Sequence, residues 1–116
     1  MGMYNTFLFK NTLYCPICGQ EHNSIQCHDY GQSCKFYKFN DLVNNVSKEY
    51  SGNEICEENI YCYEKNHDII CKKLQIDNSI YFYIVIKNYR YIGVMPSLYL
   101  AENLLEVNDE YYFNRA

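Results

Sequence analysis

Residues 14–19 read YCPICG, and this turn constrains the chain more than any other stretch of it. Two cysteines two residues apart, with proline between them and glycine after, hold two thiolates about one sulfur–sulfur edge apart with backbone N–H groups aimed at them. That is half of a four-ligand zinc site. Cys15 and Cys18 are therefore assigned as metal ligands. No second C-x2-C occurs, so the other half must come from Cys27, Cys34, Cys56, Cys62, Cys71, His22, His28 or His67. A redox use of the pair needs a helix starting at the first cysteine to lower its pKa, and CPICGQEHNS has no apolar helical periodicity.

Composition narrows the classes of function. With 116 residues, 48% hydrophobic and 21% charged, the chain has enough apolar material for one folded domain and is no disordered tail. It carries 10 basic and 14 acidic residues for a net charge of -4, so it lacks the basic excess that drives phosphate-backbone binding. A protein partner with a basic surface is the expectation, and nucleic acid is not. The richest apolar run, IYFYIVI, has strand length and falls well short of the roughly 20 residues of a membrane span. MGMYNTFLFKN lacks the basic start and long apolar stretch of a signal peptide. No membrane association and a cytoplasmic location are expected. There, seven cysteines are expected to be thiols, some of them on metal. Abundant Asn, Ile, Lys and Tyr beside two alanines reflect A/T-rich codons, which points to a low-GC bacterium or its phage, and hence to a bacterial host cell.

Local patterns predict strand, helix, strand, helix. MYNTFLF, SIQCH and CKFYKF read as short strands. NDLVNNVSKEYSG has helix punctuation, with Asn40 as cap, Leu42, Val43, Val46 and Tyr50 on one face and Gly52 past the end. IYCYE, DIICKKLQI, IYFYIVI and YRYIGVM form the pattern of an antiparallel meander, and SLYLAENLLEVND that of a second helix capped by Ser97. The expected fold is α+β in a single domain 1–116. It has a zinc-ribbon-like part with short strands over 1–39, a helix over 40–52, a meander over 60–95 and a C-terminal helix over 97–109.

LYCPICGQEHNSIQCHDYGQSCKFYKFNDLV resembles the N-terminal arrangement of small zinc-ribbon-like (CPxCG) proteins of low-GC Gram-positive bacteria and their prophages, over about the first two-thirds of the chain. The resemblance puts IYCYEKNHDI in the place of a second knuckle, with Cys62 as its first ligand. Lys65 stands where the partner would be, and an ammonium cannot ligate zinc. His67, two residues on, closes the implied set of Cys15, Cys18, Cys62 and His67, with Cys34, Cys56 and Cys71 as alternatives. Zinc held by four protein ligands has no open position and is structural.

Cys27, His28 and Asp29 suggest a catalytic relay, but neighbours on a strand point to opposite faces. No P-loop, G-x-S-x-G, H-E-x-x-H or G-x-G-x-x-G motif occurs, and no catalytic residue is assigned. Fourteen tyrosines without a tryptophan suggest contact surfaces instead. On IYFYIVI the residues Ile80, Phe82, Ile84 and Ile86 take the core face, leaving Tyr81 and Tyr83 outward. Tyr111 and Tyr112 follow an acidic stretch, and these four are the expected partner-binding residues. The function expected is a non-enzymatic protein-binding module with structural zinc. Its sharper form is a phage- or prophage-encoded inhibitor of a host defence system, of anti-CRISPR type, occupying a basic protein surface. A nucleic-acid-binding zinc ribbon and a thiol-disulfide redox protein using Cys15 and Cys18 are the alternatives, and a tyrosine-rich β edge also permits a homodimer.

Overall fold

The structure is a computed structural model and describes residues 4–31, 34–60, 62, 73, 80–106 and 110–115. Strands β1 (Asn5–Tyr14) and β2 (Glu21–Cys27) form an antiparallel hairpin whose turn is the CPICG segment. Gly19 donates its N–H to the Cys15 carbonyl at 2.9 Å, and Cys15 donates to the Gln20 carbonyl at 3.0 Å, which closes the turn. Gly19 sits at φ +76, a conformation that glycine adopts at little cost. The two-residue β3 (Phe36–Tyr37) lies parallel beside β1, giving the order β2-β1-β3.

A second sheet has the order β6-β5-β4-β7. Strands β4 (Glu54–Ile60), β5 (Ile80–Lys87) and β6 (Arg90–Met95) run antiparallel, and β7 (Tyr112–Asn114) pairs parallel with β4. Alternation along β5 sends Phe82, Ile84 and Ile86 toward the first sheet, where they meet Phe7, Ile25, Tyr30 and Tyr37 in the main core. Val85 points the other way and packs with Ile55 against Ala101 and Leu105 of α1 (Leu98–Leu105). Two polar ties fix the layers. The Tyr91 hydroxyl donates across to the Leu8 carbonyl at 2.8 Å. Asn5, with 0% exposure, donates through Nδ2 to the carbonyls of Asp29, Tyr30 and Gly31 at 2.9, 3.1 and 2.8 Å. Its Oδ1 accepts from Lys35 N–H at 3.1 Å.

The expected α+β zinc-ribbon-like fold with two helices is therefore corrected to a mainly β fold of two sheets, with one described helix. Residues 40–52 are not a helix. Asn40, Asn45 and Ser51 adopt positive φ of 76, 62 and 57, which interrupts the right-handed run. The backbone N–H groups of Asn40 and Val43 donate to the carbonyls of Tyr91 and Tyr89, so the start of this segment hydrogen-bonds to the β5–β6 turn and β6. Val43 and Val46 are still buried, as helix-face residues would be, whereas Leu42 is exposed. Of the expected meander, IYFYIVI and YRYIGVM are β5 and β6. DIICKKLQI, and IYCYE beyond Ile60 and Cys62, lie outside the described residues apart from Lys73. No described helix is long and apolar enough to cross a membrane.

Candidate metal centre

The CPICG turn brings Cys15 and Cys18 together, and Cys62, two residues past the end of β4, joins them. The three sulfur atoms lie within 4.8 Å of one another, a donor set able to hold a metal ion. Hairpin pairing explains the first two and the β4 direction explains the third, because β4 packs under β2 and delivers the chain to the turn. Burial pushes the Cys15 thiol up, but the Cys18 and Ile17 backbone N–H groups and the Cys62 and Cys18 thiols outweigh it and bring it down to about 7. Cys62 moves the other way, pushed up by burial and by its two sulfur neighbours. One thiol of the three is thus prepared to ionise first.

The structure adds an imidazole that the sequence reasoning had left among the general candidates. His22, buried on β2, holds Nε2 at 3.4 Å from Cys62 Sγ. That separation matches one nitrogen–sulfur edge, about 3.5 Å, of a zinc tetrahedron with bonds of about 2.0 and 2.3 Å, but the ring is not within 4.8 Å of all three sulfurs and would have to shift to serve as a fourth donor. C-x2-C-x3-H was the available signal, with histidine entering β2 just after the turn. His67 and Cys71 lie outside the described residues. Cys34 is exposed and no member of the cluster, and Cys56 belongs to a different one.

That second cluster comprises Cys27, Asp29, Cys56 and Glu58, again with ligand atoms within 4.8 Å. Cys27 Sγ lies 3.9 Å from Cys56 Sγ, and each sulfur is 3.7 Å from Asp29 Oδ2. Cys56 Sγ is also 3.9 Å from Glu58 Oε1. The adjacent Cys56 thiol, with burial, pushes Cys27 far up, and burial raises Glu58.

Among the expected partner-binding tyrosines, Tyr83 and Tyr111 are half-buried against the α1 cluster, and the Tyr83 hydroxyl donates to Glu57 at 3.3 Å. Tyr81 is half-buried and Tyr112 exposed. Larger exposed apolar side chains lie elsewhere, at Phe36, Phe39 and Leu42 and at Tyr99 on α1. No protein-family model matches the chain, and neither a curated protein nor a solved structure is significantly similar to it.

Proposed function

We propose that the chain is a non-enzymatic protein-binding module in which zinc, held by Cys15, Cys18 and Cys62 with an imidazole as fourth donor, fastens the β1–β2 turn to the end of β4. The observation that carries the zinc assignment is the convergence of three thiols from two separate segments, beside the His22 imidazole. Three thiolates and one imidazole suit zinc, and a site closed by four protein donors braces a fold instead of activating water. The lowered Cys15 thiol is shared by zinc knuckles and redox pairs. The third sulfur favours metal, because a redox pair has no use for it. The partner class follows from the net charge of -4 and the exposed Phe36, Phe39, Leu42 and Tyr99, which suit a protein surface of basic and apolar character.

Native mass spectrometry of untagged protein tests the zinc. A tightly held ion is expected in the wild type, lost in Cys15→Ser and Cys62→Ser and kept in Cys34→Ser. His22→Ala and His67→Ala then identify the fourth donor by which one weakens retention. Wild-type protein that keeps no zinc after dialysis refutes the assignment. For the partner, capture from a bacterial lysate should yield a reproducible basic protein whose retention falls with salt. Retention of the chain on heparin without such a protein would favour nucleic acid instead.

A further inference from the structure

The second cluster stands apart from the CPICG turn and arises from two short patterns of one kind. Cys27 and Asp29 are two residues apart at the end of β2, and Cys56 and Glu58 two residues apart within β4. Alternation along extended chain puts each pair on one face, and β2 packs on β4, so the two pairs confront one another between the sheets. We propose that Cys27, Asp29, Cys56 and Glu58 form a second metal site, for a borderline-soft divalent transition ion of the zinc, cobalt or cadmium class, that ties the first sheet to the second.

The spacing fits such an ion. Metal–sulfur bonds of about 2.3 Å and metal–oxygen bonds of about 2.1 Å set tetrahedral edges of about 3.8 Å between sulfurs and about 3.6 Å from sulfur to oxygen. Four of the six separations in the cluster run from 3.7 to 3.9 Å, and all lie within 4.8 Å. Two protonated thiols resting on carboxylates is the plainer explanation, but two S–H protons can serve only two of the four contacts. A disulfide would need the sulfurs to close from 3.9 Å to about 2.05 Å, and it leaves the convergence of both carboxylates without a cause. Thiolates select against calcium and magnesium, which take oxygen ligands. Access is also present. Cys27 and Cys56 are 0% and 1% exposed, while Glu58 lines an open groove of about 550 Å³ together with His28 and Tyr4. An ion entering by the groove would meet the Glu58 carboxylate first.

Cadmium titration of the full reduced chain tests this, read by native mass spectrometry and cadmium NMR. Two ions per chain are expected, with two resonances, one in the range of three thiolates and one in that of two thiolates and two oxygens. In the Asp29→Asn, Glu58→Gln double variant, which leaves the buried thiols in place, the second resonance should disappear or its ion bind at least about tenfold more weakly. The first should be unchanged. Cys15→Ser should do the reverse, so failure of the turn site and failure of this one give different spectra. A wild-type spectrum without the resonance of two thiolates and two oxygens, or an ion at that resonance that binds the double variant with unchanged affinity, overturns the proposal.

Discussion

Asn5 is the polar side chain on which the loop after β2 depends, and replacing it should be among the most damaging single changes in the protein. Its amide is fully buried and makes four polar contacts: Nδ2 shares its two hydrogens among the carbonyls of residues 29–31, and Oδ1 accepts from the Lys35 N–H. In Asn5→Ala all four are lost. The contacts to Asp29, Gly31 and Lys35 are partly buried, so water can replace much of each, leaving a net loss of about 0.5–1 kcal/mol apiece. The Tyr30 carbonyl is buried, and an orphaned buried acceptor costs about 1–3 kcal/mol. Together these amount to roughly 2.5–6 kcal/mol, a large share of the ~5–15 kcal/mol that holds a domain together. Urea unfolding followed by fluorescence should show the midpoint falling by about 2 M with unchanged slope. Asn5→Asp is the sharper companion. It keeps an acceptor for Lys35 but sets a carboxylate against three carbonyl oxygens, so it should destabilise at neutral pH at least as much as alanine does. A loss below about 1 kcal/mol in both variants would mean that the loop is held by something else.

Three smaller perturbations probe other joints. Tyr91→Phe keeps the buried ring against Phe7 but removes the hydroxyl that reaches Leu8, and should cost about 1–2 kcal/mol in the same urea assay. At Gly52, φ is +79 and an added Cβ would lie 2.6 Å from the Tyr89 ring, so Gly52→Ala should lower stability by about 2 kcal/mol or more. An unchanged melting temperature would show that Tyr89 moves aside freely. Ser97 caps α1 by accepting the Leu100 N–H at 3.2 Å, and Ser97→Ala should cost about 1 kcal/mol, whereas Ser97→Asp should recover most of it.

What could be read from the sequence was what is encoded locally. The CPICG turn with Cys15 and Cys18 is a contiguous signal, and β5 and β6 follow from alternation on either side of a two-residue turn at Asn88 and Tyr89, both at positive φ. Cys62 came from the likeness of its surroundings to a second knuckle, and the structure puts it beside the first pair. What escaped was tertiary. Glu54–Ile60 reads as acidic and polar, yet it is the strand between β5 and β7. Its first residue, Glu54, is 2% exposed because Tyr30, Ser47 and Asn114 all donate to its carboxylate. The nearest of those donors, Ser47, is seven residues away, and the other two are 24 and 60 residues away. The segment 40–52 misled for the opposite reason, since its apolar spacing is helical while Asn40 and Asn45 take up left-handed positions. At Cys27 the alternation rule was applied to the adjacent His28 as an argument against a relay. The same rule places Asp29 on the face of Cys27, but Cys56 and Glu58 reach that face only through the packing of β4.

The parallel pairing of β7 with β4 bears on how the protein is made. Tyr112 and Phe113 register with Glu54 and Ile55, partners separated by nearly half the chain. While a ribosome is still short of residue 112, β4 can already pair with β5 but presents its other edge, with open N–H and C=O groups beside the apolar Ile55. An edge of that kind recruits strands from other molecules. Completion of the second sheet therefore waits for the residues of β7, and a chain cut off before residue 112 should be recovered from cells mainly as aggregate.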